Sequence, residues 1–326
     1  MRKSLPLTVA LAALLVPALD AAPALALIAK SYVASGGSDG NTCATPADAC
    51  ATFQGAHDKT APGGEVSVVN TGSYDTFRIT KAIHFTNDGA GEAAIFAPAA
   101  VAAIFVNAGV GSIVSLRGVV IDGDGNGGNG IQISSVSAMH IQNCVIRNFE
   151  ASGGPAGIFV QNSTGNIQLF VSDSLIYNNG SGAASAGIHI KANNGFTVNA
   201  VLDRLHIENN VRGLWVEGGG SGSPSRVILR DSVVSGNAAD GILASTTPGA
   251  GPAFIAIQNT ASVNNAGTGI RADGPGATML LDNTFVIRNA VGLATANGGQ
   301  LISYGNNKVN NNIGADGTPT GSYSPL

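Results

Sequence analysis

Charge is what this chain has least of: only 11% of its 326 residues are Asp, Glu, Lys or Arg, against roughly a quarter in an ordinary soluble protein. With a formal net charge of −4 and no basic cluster, nucleic acid and anionic membrane surfaces are excluded as main partners. Aromatics are also scarce, at 5%, and Trp215 is the single tryptophan. No apolar run after the first 26 residues is long and uncharged enough to span a bilayer, which excludes membrane insertion of the mature chain. There is no CxxC pair and hence no redox motif. His57, His84, His140 and His206 lack metal-ligand spacing and read as structural. Low charge combined with 45 glycines would suit a disordered chain, but 44% of the residues are hydrophobic and they recur regularly, which points to a folded one.

The first 26 residues, MRKSLPLTVALAALLVPALDAAPALA, have a basic start, an apolar run and small residues at Ala24 and Ala26. They read as a removed export signal, so the mature protein is expected to be secreted or periplasmic. Three cysteines in an exported chain invite a disulfide. Cys43 and Cys50 lie close together in NTCATPADACATF and are expected to pair, while Cys144, in HIQNCVIRN, is expected to be an inert buried thiol.

What the chain has in abundance is one repeat. GIQIS at 130 returns as GIFVQ, GIHIK, GLWVE, GILAS, GIRAD and GLATA, at intervals of 23 to 30 residues. A second segment follows each copy except the last, as in AVLDRLHIENN and ILRDSVVSGN, with an acid or amide in the middle and a terminal Asn. Short alternating runs separated by Gly/Asn turns, with no helical period between them, specify a solenoid rather than two globular domains. The predicted fold is all-β: a right-handed parallel β-helix of about ten three-strand rungs, in which stacked coils share one apolar interior. The expected layout is a signal over 1–26, an entry segment with the disulfide and a short capping helix over 27–63, the β-helix over 64–313 and a mobile tail over 314–326. TFQGAHDKTAPGG supplies the capping helix, which protects an open sheet end.

These G-I-x-I rungs with terminal Asn, the YVASGGSDGNTC entry and the PGGEVSVVNTGSY step resemble the pectin-lyase-like superfamily of secreted right-handed β-helices, over roughly residues 31–312. The resemblance implies the fold, and it implies that the sheet carrying the G-I-x-I strands is where such proteins place active sites. GIHIKAN is similar to the R-I-K strand of polygalacturonases, with His189 in the arginine's place and Lys191 matching the lysine. The N-T-D, D-D and G-H-G segments of those enzymes are missing. The assembly factors of copper reductases share the repeat too, but three Met and scattered His give no metal-handling surface.

Strand alternation sends the first and third apolar residues of each G-I-x-I copy inward and the positions between them outward. Two outward columns result: Gln132, Phe159, His189, Trp215, Leu243, Arg271, Ala294, and Ser134, Gln161, Lys191, Glu217, Ser245, Asp273, Ala296. Aromatic faces stack on sugar C–H faces and charges choose among substituents, so Phe159, His189, Lys191, Trp215, Glu217 and Arg271 are the candidate binding residues for an extended polysaccharide. The catalytic candidates for lyase or hydrolase action are His189, Lys191, Glu217, Arg271 and Asp273. The rival reading is a non-catalytic envelope or matrix protein whose rod shape is the function.

No cofactor is required. Calcium is the one ion with a motif, because Asp122, Asp124 and Asn126 reproduce half of an EF-hand loop, although Ile133 stands where its bidentate Glu belongs. Asn143, Asp173, Asp203, Asp231, Asn259 and Asp282 are expected to be turn formers. Asn148, Asn178, Asn210, Asn237, Asn265 and Asn289 are expected to form an amide ladder.

Overall fold

The computed structural model describes residues 27–193 and 195–324; the expected signal, at 1–26, lies outside the described residues. Each coil contributes one strand to each of three faces, and every neighbouring pair runs parallel. The first face stacks Ala156–Gln161, Ala186–Lys191, Leu214–Glu217, Ile242–Ser245 and Thr268–Asp273. The second stacks Ile167–Ser172, Val198–Asp203, Ser225–Arg230, Ala253–Gln258 and Ala277–Asp282. The third stacks Val145–Arg147, Leu175–Tyr177, His206–Glu208, Val233–Ser235, Ala261–Val263 and Phe285–Ile287. Among the described residues the third face is a sheet of 10 strands, matching the expected number of rungs. The other two merge into one sheet of 19, because Ile104–Arg117 and Ile131–Gln142 run on from the first face into the second.

The period follows from burial. Ile131, Ile158, Ile188, Leu214, Ile242, Ile270 and Leu293 form one inward column of the first face and are all buried, and the other two faces close the interior with similar columns. No rung can cover its own apolar side, so each is stable only between neighbours.

The corner between the third and first faces explains why Gly and Asn recur together. Third-face strands end in a left-handed residue (Asn148, Asn178, Asn209, Gly236, Asn264, Arg288 and Asn311, with φ from 53° to 64°). The next residue then turns inward, and Asn179, Asn210, Asn237, Asn265, Asn289 and Asn312 line up there. From Asn210 onward each of these side-chain oxygens accepts from the backbone N–H and the amide of the Asn one rung before it, as Asn237 Oδ1 does from Asn210 N at 2.9 Å, while Asn179 Oδ1 accepts from the backbone N–H of Phe149 at 3.3 Å. The ladder therefore includes Asn179 rather than Asn178, and Asn148 and Asn178 are the left-handed residues ahead of it. Buried Phe149 fills the inward position that follows Asn148. A Cβ on Gly213 would sit 2.4 Å from Val234, 2.5 Å from the Gly241 carbonyl and 3.0 Å from the Asn237 amide nitrogen, so the repeated glycine makes room for the ladder.

The corner after the second face shows the same one-residue offset. Asn143, Asp173, Asp231 and Asn259 have positive φ as expected of turn formers, but Arg204 and Asn283 take that role in place of Asp203 and Asp282. Asp203 instead ends its strand and pairs with Arg204 and Arg230.

At the entry, Cys43 and Cys50 are joined in a disulfide. Helix Phe53–Lys59 covers the first rungs, with Thr52 Oγ1 accepting from Gly55 N at 2.9 Å as the N-cap. Phe53 packs against Tyr74, Phe77 and Phe85, with ring centroids 4.9, 5.2 and 5.6 Å away. Strand Ile28–Val33 already pairs with Thr60–Val68, so the coil begins inside the expected entry segment. Cys144 is buried, and desolvation pushes its thiol pKa up to about 11. The segment from Gly314, read from its lack of alternation as a mobile tail, lies against the last rung. Gly321–Ser322 pairs with Gln300–Ser303, and Asp316 Oδ1 accepts from the Asn312 backbone at 3.0 Å and its amide at 2.9 Å, capping the ladder. Alternation is missing there because no further rung covers this coil.

Candidate functional site: the outward columns of the first face

Strand register brings the expected residues together. Gln132, Phe159, His189, Trp215, Leu243, Arg271 and Ala294 are direct partners on successive rungs, as are Gln161, Lys191, Glu217, Ser245, Asp273 and Ala296. The rung spacing is about 4.8 Å, close to the separation of stacked rings, so in-register aromatic side chains pile on one another. Phe159 and His189 have centroids 5.2 Å apart, and His189 lies 4.1 Å from Trp215 with only 2° between the ring planes. Trp215 is thus half-buried with its indole face against an imidazole, its Nε1–H donating to Ser245 Oγ at 2.7 Å. It is neither core nor a bare plate.

The electrostatics centre on Glu217. Its Oε2 lies 3.2 Å from His189 Nε2 and its Oε1 accepts from Lys191 Nζ at 2.7 Å. His189 is 7% exposed, and burial holds its pKa below the ordinary imidazole value. Glu217 opposes that shift, while Lys191 and Arg212 add to it. The neutral ring therefore donates from Nε2 to the carboxylate. Burial alone would raise the pKa of Glu217, but the His189 and Lys191 donors outweigh it and hold the carboxyl below its usual range. Two rungs on, Arg271 Nη2 lies 2.6 Å from Asp273 Oδ2, and Asn297 donates to Asp273 Oδ1 at 2.7 Å.

Two participants were missed in the sequence, Arg212 and Asp240. Both immediately precede the repeated glycine, a position that alternation within the G-I-x-I strands leaves unread. The Arg212 guanidinium lies 4.9 Å over the Trp215 ring and donates to the Ala183 carbonyl, and its Nε is buried with no hydrogen-bond partner among the described residues. Burial lowers its pKa, with the Arg271 charge adding to the effect and Asp240 opposing it. Asp240 faces Arg271 at 3.8 Å and accepts from Thr268 N at 2.8 Å.

The chemistry such an array can perform is limited by its pairing. Glu217 and Asp273 are two rungs apart, about 10 Å by the rung spacing, and each has both carboxyl oxygens engaged. No pair of free carboxyls flanks a common space here, as glycoside hydrolysis requires.

The residues of the half EF-hand are built into a turn. Asp122 Oδ2 is 2.7 Å from Arg147 Nε, and its Oδ1 accepts from Asp124 N and from the Asn148 amide, both at 2.9 Å. Asn126 donates to the Pro98 carbonyl. The other histidines are scattered: His57 beside Asp58, His84 on Ser115, His140 stacked on Phe170 and His206 on Glu208. Among the described residues no group of three or more His, Cys, Asp or Glu is placed to hold a metal ion. None of their helices is long and apolar enough to cross a membrane.

Comparison with known proteins gives a family and a set of folds. The family model described as periplasmic copper-binding protein (NosD) matches residues 110–323. Comparison with curated proteins finds no match. Among solved structures, the chain is similar to the pectate lyase Pel9A, with 15% identity and a TM-score of 0.51, covering 88% of this chain and 80% of that one. It is also similar to the A-module of the Azotobacter vinelandii mannuronan C-5 epimerase AlgE4, with 14% identity, a TM-score of 0.46 and coverage of 81% and 91%. The GH136 lacto-N-biosidase of Eubacterium ramulus follows at 10% identity and a TM-score of 0.30, covering 86% of this chain and 67% of that one. At these identities the likeness speaks for the fold alone.

Proposed function

The chain belongs to the periplasmic copper-binding protein (NosD) family of right-handed, pectin-lyase-like β-helices, and from the chemistry of its first face we propose that this member is an exported protein that binds an extended polysaccharide there. The observation that carries this reading is the run of outward groups from Phe159 to Asp273, which gathers ring edges, an imidazole, three cations and three acids onto one face of a charge-poor rod. Recognition groups repeat every 4.8 Å or so along the axis. An extended polymer that is itself periodic engages several rungs at once, whereas a small molecule engages one or two. The buried Nε of Arg212, without a hydrogen-bond partner among the described residues, supports a bridging water at the centre of the run.

Binding rather than bond cleavage is the better fit. Lyase or hydrolase action would run through His189, Glu217 or Asp273, with Lys191 or Arg271 neutralising charge. His189 is stacked on Trp215 with Phe159 tilted against its other side, and both acids are bound to cations and donors.

Copper does not fit the residues present. Copper sites draw on thiolate, thioether and imidazole ligands. Met139, Met279 and Cys144 face the interior, Cys43 and Cys50 are bonded to each other, and the five imidazoles lie apart. The copper in the family's name therefore has no counterpart in the ligand set of the described residues. Calcium would have to be held at Asp122, Asp124 and Asn126 after displacing Arg147.

The stacked rings also favour a second reading, in which the ladder only stiffens a structural rod. The single tryptophan separates the two. Fluorescence of Trp215 is recorded during titration with acidic and neutral polysaccharides, with iodide as quencher. Binding on this face shifts the emission and protects it from iodide with at least one polymer. Emission that no polymer changes would leave the rod.

A further inference from the structure

The first face extends upstream of Phe159, and a cleft lies there. Arg78, Phe105 and Gln132 are direct partners on three successive rungs and lead into Phe159 on the next. A cleft of about 590 Å³ opens over them, within the range of small-ligand sites. The Arg78 guanidinium lies 4.5 Å over the Phe105 ring. Arg78 is exposed and has no carboxylate partner among the described residues, unlike Lys191 and Arg271 further along the face. Asn129 donates to Gln132 Oε1 at 3.4 Å, and Gln54 Oε1 accepts from the Arg78 backbone at 2.9 Å, so amides form the walls. Val101, 51% exposed, forms an apolar lip.

These groups define a ligand. A guanidinium held over a ring presents a planar fork of donors that matches a carboxylate in two parallel hydrogen bonds. Amides match hydroxyls, and Phe105 with Val101 matches a C–H face. We propose that this cleft is a second binding site that takes a carboxylate-bearing sugar unit, free or at the end of the chain that occupies the rungs beyond. The chain-end form rests on the polysaccharide reading of the first face, from which Arg78 stands four rungs, about 19 Å, away from His189.

The test is calorimetric titration of the purified protein with galacturonate, galactose and a galacturonate oligomer, using Arg78→Gln, Gln132→Ala and Lys191→Ala. Arg78 and Gln132 point outward from the coil, so unchanged melting is expected to confirm that their variants fold. Galacturonate is expected to bind and galactose is not, and Arg78→Gln is expected to weaken galacturonate at least about tenfold, with a smaller loss for Gln132→Ala. Lys191→Ala is expected to leave the monomer unaffected and to weaken the oligomer. Equal binding of galactose and galacturonate, no galacturonate binding, or an unchanged affinity in Arg78→Gln would each overturn the cleft site. If the oligomer still binds and still depends on Lys191, the polysaccharide reading survives that failure. If galacturonate depends on Arg78 while no polymer reaches Trp215, the cleft stands as a site for the free sugar acid and the polymer reading falls.

Discussion

A single carboxylate, Glu217, organises the middle of the first face, and its two partners hold it in different ways. Lys191 supplies a charge from a half-exposed position, and His189 supplies a neutral N–H from a buried one. Both His189 and Glu217 have folded pKa values below their ordinary 6.5 and 4.5. A lowered value means that the unfolded chain binds the proton more readily, so the stabilisation is whole above the ordinary value and is lost as pH falls through the folded one. Acidification from pH 6.5 downward is therefore expected to lower Tm, with Glu217 adding its share below pH 4.5. His57 and His140 are shifted in the same direction by burial, so the diagnostic is the difference between wild type and His189→Gln across that range. The variant is expected to lose less of its Tm, and parallel curves would show that His189 contributes nothing. At neutral pH, Glu217→Gln should cost about 1–3 kcal/mol, read from denaturant unfolding, because it leaves Lys191 without its counter-charge. At this scale the sequence was informative about sides but not about contacts. Period-2 alternation places Trp215 and His189 outward. It says nothing of the side-chain torsions that lay one ring on the other, and nothing of Arg212, which stands ahead of the strand.

The corner where the third face meets the first holds the element together. From Gly157 onward every Gly of the repeat sits against an Asn of the ladder, and Gly130 sits against Phe149, so the two recurring residue types are one device: the amide satisfies buried backbone groups, and the missing Cβ leaves it space. Asn237→Ala removes the acceptor of both Asn210 N and the Asn210 amide, and the donors to the Ile207 carbonyl and Asn265 Oδ1. Two or more buried groups left unpaired at about 1–3 kcal/mol each make this change severely destabilising. Asn178→Gly, at φ 55° and with one exposed side-chain hydrogen bond to Asn148, is expected to change stability by less than about 1 kcal/mol. Thermal unfolding of the pair checks the assignment, and equal losses would reject it. The contrast also shows why the sequence alone misplaces two rungs, at Asn148, where Phe149 takes the inward position, and at Asn178. In an Asn-Asn pair either residue suits the left-handed turn, and only the choice of which side chain faces inward separates Asn178 from Asn179. The rungs with Gly236-Asn237 and Arg288-Asn289 carry no such ambiguity, and there the expected ladder residues are the observed ones.

For the whole molecule, nearest-neighbour stacking means that damage at one end should stay there. The two ends are sealed by unrelated means: a four-ring cluster under helix Phe53–Lys59 at the start, and at the finish a last partial coil whose Asp316 completes the amide ladder. Truncation after Ile313 removes that carboxylate, together with the carbonyls of Ala315 and Asp316 that accept from Gly292 and Leu293. Hydrogen exchange is expected to quicken in residues 285–312 and to stay unchanged in the rungs from 157 to 217, which carry Phe159, His189 and Trp215. Uniform quickening along the rod would mean a single cooperative unit and would overturn the local picture. Cys43→Ser should act locally in the opposite direction, costing roughly 2–3 kcal/mol for so short a loop and loosening only the entry rungs. If both ends behave in this way, the Arg78 cleft near the start and the Glu217 cluster in the middle are independently stable. A loss of binding in a variant of either can then be read as chemistry at that rung rather than as unfolding transmitted along the helix.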